Sequence, residues 1–296
     1  MNFKKVCDTD IELIREYTRK ADTDNCEFSV ANIFMWNDVE KLHCAVFDEV
    51  LVYRLIDNGK AIYSPVSLPD NTKEFIEMLK RDALDNGCGF MLNNLSVQMM
   101  EQLQEIFGDR FKFDYDRADS DYIYSVEELI KLSGSKYHSK KNNLNKFLKN
   151  NEFVYEKISR NNIEECLLMK NNWAERKSNR EEYEEELLIL DKAFSEYEKF
   201  GFIGGLIRIK GEVVAFCFGE ELNEEVFVTH FEKAYDIPGL YQAINQQFAA
   251  NSISGYKYVN REDDMGHEGI RKAKLSYKPV YLRDKFYTEQ NYRSTT

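Results

Sequence analysis

Apolar positions recur along this chain with two periods, that of a strand and that of a helix. From Leu42 to Phe47, Leu51 to Ile56 and Ala61 to Pro65 they follow strand spacing. Phe75, Ile76, Leu79 and Ala83 then share one face of a helix that Gly87-Cys88-Gly89 ends, and FMLNNL reads as a buried strand. A second helix carries Val97, Met100, Leu103 and Phe107, after which FKFDYD and DYIYSV read as strands closing a first α/β unit. An opening helix over Asp8 to Lys20 precedes them.

Beyond Glu152 the pattern starts again. FVYEKIS is a strand, a helix runs through Trp173, and Tyr183, Leu187, Leu190, Phe194 and Tyr197 form a helical stripe. GLIRIKGEVVAFCFGEELNEEVFVTHF then reads as three strands, separated by hairpin signals at Lys210-Gly211 and at Leu222 to Glu225. A Pro-Gly turn (YDIPG) leads into the helix LYQAINQQFAAN, the strand YKYVN and the basic helix GIRKAKLSYKP. Between the halves, Leu144, Phe147 and Leu148 mark a Lys-rich helix from Tyr137 to Lys149. The expected organisation is a first domain over residues 1–134, a basic connecting helix over 135–151 and a second domain over 152–296.

Composition narrows the picture. A length of 296 residues, 43% of them hydrophobic, suffices for two domains with cores of their own. A net charge of -12 argues against a surface that grips a polyanion everywhere. One uninterrupted basic run, Lys136, Lys140, Lys141, Lys146 and Lys149, can still do so locally, and it reads either as an RNA contact or as a solvated helix face. No stretch approaches the roughly 18 apolar residues that span a bilayer, and charges stand where a signal peptide needs apolar residues, so a cytoplasmic address is expected. The six cysteines lack CxxC spacing and the four histidines form no ligand pattern, so reduced thiols and no metal are expected. No GxSxG, Walker, HExxH or GxGxxG motif is present.

Pro238 and Gly239 can open a helix without strain, and the backbone N–H groups of Gly239, Leu240, Tyr241 and Gln242 would then suit a phosphate. Asn260, Glu262, Asp263 and Asp264 crowd a strand end, where open sheets place ligands.

The segments SKYHSKKNNLNKF (Ser135 to Phe147) and NREDDMGHEGIRKAKLSYKP (Asn260 to Pro279), with the helix through Trp173, resemble the phosphatidylglycerol lysyltransferase C-terminal domain family, within the GNAT superfamily of acyltransferases. The resemblance covers nearly the whole chain. It implies an α/β (α+β) fold of two tandem GNAT-like domains, each a mixed, mostly antiparallel sheet flanked by helices. The many membrane helices that precede this portion in the best-known members do not stand in these residues.

In such a fold the strand before the phosphate loop splays from its neighbour and faces the donor. Here that strand is Val226 to Ala234, with either His230 or Glu232 as general base; His230 also reads as a hydrogen-bonded core residue. By the same resemblance Tyr277 is the proton donor to the leaving group, unless its hydroxyl only packs. Donor binding is expected from Phe231, Lys233, Ile237, Gly239, Leu240, Tyr241, Gln242, Asn260 and Lys274. The leading expectation is acyl transfer from acyl-CoA to an amine or hydroxyl. Alternatives are an aminoacyl-tRNA donor, held by the lysines of the 136–149 run, and a binding module without catalysis. Peripheral membrane contact is a further expectation.

Overall fold

The computed structural model describes residues 2–176 and 183–288, with the backbone alone for 36–40. The chain forms two compact units: residues 1–121, 263–267 and 282–296, and residues 122–262 and 268–281.

The first unit contains β1 (Lys4–Lys5), α1 (Ile11–Lys20), α2 (Val30–Glu40), β2 (His43–Phe47), β3 (Val50–Asp57), β4 (Lys60–Pro65), α3 (Thr72–Asp85), β5 (Gly89–Leu92), α4 (Val97–Phe107) and β6 (Phe113–Tyr115). Its sheet runs β1-β2-β3-β4-β5, antiparallel except for the β4–β5 pair that α3 joins. Alternation sends Ala45, Val50, Val52, Ala61 and Tyr63 into one core with Phe75, Ile76 and Leu79 of α3 and Leu103 of α4. That is the face the helical stripes predicted.

The second unit is built from β7 (Asp121–Ser125), α5 (Val126–Lys131), α6 (His138–Asn150), β8 (Val154–Lys157), α7 (Ile163–Glu175), α8 (Glu184–Ser195), β9 (Ile203–Ile209), β10 (Glu212–Glu221), β11 (Val226–Ala234), α9 (Leu240–Asn251), β12 (Tyr258–Asn260) and α10 (Glu268–Leu275). β13 (Tyr281–Arg283) completes a sheet of order β13-β7-β12-β11-β10-β9-β8. Here too the pairing is antiparallel except for one helix-joined pair, β11 and β12. One face is an aromatic core in which Phe218 meets Phe194 of α8 at 4.8 Å and Phe231 at 4.9 Å between ring centres. On the other face Phe227 packs on Phe248 of α9.

The chain is thus a tandem of GNAT-like α/β units, each a meander followed by a helix and a parallel strand. The units divide after Asp121 rather than at residue 134, because β7 pairs with β12 (Tyr258↔Ser125, Asn260↔Ile123). The basic helix α6 lies wholly within the second unit, and β14 (Phe286–Thr288) pairs with β6 in the first.

Candidate functional site

β11 pairs with β12 only over Val226, Phe227 and Val228, so from Thr229 to Ala234 its edge toward β12 is open. This is the splay expected of that strand. A second irregularity lies on its other side. Phe218 pairs with Phe231 but Gly219 with Thr229, which leaves His230 as an extra residue, a β-bulge. Gly219 makes the bulge possible, since a Cβ there would collide with the Val228 carbonyl oxygen.

The bulge inverts strand parity. Phe227 faces α9, yet Phe231 packs on the opposite, Phe218 side. Glu232 consequently emerges on the α9 side, where Asn245 Nδ2 donates to it at 3.2 Å and Arg261 Nη2 at 3.0 Å. The Arg261–Glu232 pair is largely buried, and burial opposes the guanidinium charge while Glu232 more than restores it.

Tyr277 closes this cluster. It is only 6% exposed, it has a side-chain hydrogen bond with Gln242, and Arg261 lies 5.4 Å from its ring centre. Burial first, and then the Glu232 charge, push its phenol well above the ordinary value. It therefore keeps its proton at neutral pH. Lys140 of α6 stands 4.0 Å over the same ring, with its pKa lowered by burial and then by Arg261.

His230 is a different object. Its Nδ1 lies 2.8 Å from Glu262 and its Nε2 3.2 Å from Glu220, with the side chain almost wholly buried. Burial alone would lower the imidazole pKa, but hydrogen bonds to Glu220 and Glu262 outweigh it and push it up to about 9. An imidazole already protonated at neutral pH cannot accept the acceptor's proton, so the geometry gives His230 a positioning role in place of the general-base role.

The remaining expected residues fall into three groups. Gln242 belongs to the Tyr277 cluster. Asn260 and Lys274 shape the loop that carries Arg261: Asn260 Oδ1 accepts from the Glu262 N–H at 2.7 Å, and Lys274 Nζ donates to the Arg261 carbonyl at 2.6 Å. Phe231 and Leu240 are core residues, and Lys233 pairs with Glu186 of α8 at 2.5 Å beneath the Trp173 ring. Ile237 supplies the carbonyl that accepts from the Leu240 N–H, and Tyr241 is partly exposed on the first turn of α9.

Gly239 has the expected left-handed conformation, φ +85°. Its missing side chain is accounted for within the fold, because a Cβ would strike the Asn143 carbonyl and Phe147 of α6. On that helix Lys136, Lys141, Lys146 and Lys149 are exposed, and Lys136 pairs with Glu128 at 2.6 Å.

Arg261 and the inward Lys140 were absent from the expected catalytic set. A signal existed for Lys140, which shares its helical stripe with Leu144 and Phe147 at i+4 and i+7. Among the described residues, no group of three His, Cys, Asp or Glu side chains is arranged to hold a metal ion, and no helix is long and apolar enough to cross a membrane.

Comparison with known proteins agrees with this fold. A conserved protein of unknown function from Bacteroides thetaiotaomicron is 35% identical, with a TM-score of 0.91 over 97% of this chain and 99% of that one. L-PGS from Bacillus licheniformis has the same fold at 15% identity, with a TM-score of 0.67 over 99% of this chain and 94% of its own. An uncharacterized protein of Mycoplasmoides gallisepticum is 25% identical over 79% of this chain and 76% of its length. The family model for the C-terminal region of phosphatidylglycerol lysyltransferase matches residues 18–289, and the chain belongs to that family.

Proposed function

We propose that this protein is an aminoacyltransferase that moves an aminoacyl group from tRNA to an amine or hydroxyl acceptor. The observation that carries the reading is the cluster of Glu232, Arg261, Tyr277 and Lys140 beside the open edge of β11, on a unit whose helix α6 also exposes Lys141, Lys146 and Lys149. Family membership supports it. A tRNA donor goes with a cytoplasmic location.

In this reading the acceptor's lone pair attacks the ester carbonyl carbon, and Glu232 takes the proton it releases. The charge that builds on the carbonyl oxygen is met by Arg261 and Lys140, cations already held in place. When the carbon–oxygen bond to the ribose breaks, Tyr277 supplies the proton to the leaving oxygen, and exchange with solvent resets both groups. His230, locked between two carboxylates, fixes the bulge that aims Glu232.

An acyl-CoA donor is the second reading, favoured by the start of α9 at Gly239, since helix N-termini suit phosphate. Purified protein offered aminoacyl-tRNA and acetyl-CoA in parallel separates the two. The aminoacyl reading expects accelerated loss of the aminoacyl ester from tRNA, slowed about 10²-fold in Tyr277→Phe with tRNA affinity unchanged. It also expects Lys141, Lys146 and Lys149 changed together to Gln to flatten the salt dependence of tRNA binding by about two to three log units per log unit of salt. Release of free CoA thiol with no effect on aminoacyl-tRNA would replace it with the CoA reading.

A further inference from the structure

The first unit holds a cavity on the sheet face turned away from α3 and α4. It measures about 250 Å³ and is lined by Leu55 and Ile62 from the sheet and by Phe28 and Ile33 from the helical layer. Tyr53 and Ser64 add hydroxyls from β3 and β4. The Tyr53 hydroxyl lacks any hydrogen-bond partner although the residue is only 3% exposed, a costly arrangement for a buried polar group.

One end of the cavity is charged, and the balance is negative. Lys285 is almost wholly buried, with Nζ 2.8 Å from Asp121, 2.7 Å from Glu27 and 3.6 Å from the Cys26 sulfur. An ammonium has three donors, and these contacts use them. Lys285 therefore offers little to an anion. Asp119 and Asp263 also line the cavity and leave carboxylates in excess over the single ammonium. The Asp119 carboxyl is held above its ordinary pKa by burial and then by the neighbouring Asp116, an effect that Lys285 only partly offsets.

We propose that this cavity binds a small alkylammonium, a primary amine carried on a short apolar chain. The apolar walls take the chain, the excess carboxylates take the positive charge, and the Tyr53 oxygen is free to accept one of the N–H groups. The site lies entirely within the first unit, and the inference does not rest on the aminoacyl-transfer reading.

Calorimetry on the full chain with n-pentylamine, pentanoate and 1-pentanol tests it. Pentylamine should bind saturably, with pentanoate and pentanol each at least about ten-fold weaker, the scale of one charge-assisted hydrogen bond. Asp119→Asn, at an exposed position, should weaken pentylamine about ten-fold with its circular dichroism unchanged. Ser64→Leu should abolish binding by filling the space. Pentanoate binding as tightly as the amine, an absence of saturable heat with pentylamine, or unchanged amine affinity in Asp119→Asn would each overturn the proposal. Should Ser64→Leu fail to fold, the ligand series and Asp119→Asn decide alone.

Discussion

In the first unit β4 and β5 form a parallel pair joined by α3; in the second, β11 and β12 form one joined by α9. The first pair is in register from Lys60 to Tyr63, which leaves only Ser64 and Pro65 of β4 beyond it. The second is in register from Val226 to Val228 and leaves Thr229 to Ala234 unpaired on that side. Both meanders are hydrophobic and strand-like, so composition does not separate them. What differs is one extra residue, His230, opposite a glycine that lets two backbones approach. A closed pair makes a core, whereas an opened pair gives a concave edge where polar side chains can converge.

The largest expected effect breaks the opened pair. Gly219→Ala places a Cβ against the Val228 carbonyl, which cannot move without moving the strand. Destabilisation on the order of 4 kcal/mol, or failure to fold, is expected in chemical denaturation. A loss below about 1 kcal/mol would show that the bulge relaxes easily.

A smaller effect reports on the charge inside the bulge. The folded-state pKa of His230 is raised to about 9, so its stabilising contribution is complete below the ordinary histidine range and is lost as pH climbs through about 9. Unfolding free energy should fall on the order of 2–3 kcal/mol between about pH 6.5 and 9. In His230→Gln that slope should vanish, and a slope equal to wild type would remove the buried imidazolium from the account.

The mildest effect serves as the contrast. Gly59 turns the β3–β4 hairpin at φ +74° with open space around it, so Gly59→Ala meets only the cost of a left-handed L-residue, about 1 kcal/mol. A cost equal to that of Gly219→Ala would mean that conformation, not close approach, sets both.

Much of this was legible before any coordinates. The stripe Phe75, Ile76, Leu79 and Ala83 faces the core as read, and all four residues are buried. The strands of both meanders stand where alternation placed them, because a local period records which side is apolar. The bulge was not legible. Strict alternation would have kept Phe231 with Phe227, and only the β10 register reveals the inversion. Nor was the unit boundary. DYIYSV reads as a strand from its own residues, but its partner β12 is remote in sequence, and nothing local encodes that choice. Arg261 escaped notice because it sits among carboxylates in NREDD, where a cation looks like simple charge balance until Glu232 is found against it.

The pairing of β14 with β6 has a consequence for how the molecule is made. The Thr288 hydroxyl accepts from the Leu92 N–H, the Phe286 and Leu95 backbones bond each other in both directions, and Lys285 neutralises buried Asp121. During translation, residues 1–121 leave the ribosome first but must wait for residues 282–288 before their charges and strand edges are satisfied. Residues 122–281 can complete their own sheet in the meantime. The portion synthesised first is thus the portion finished last, and until then a chaperone or a fellow nascent chain finds the edge of β6 and an unpaired Asp121 within reach.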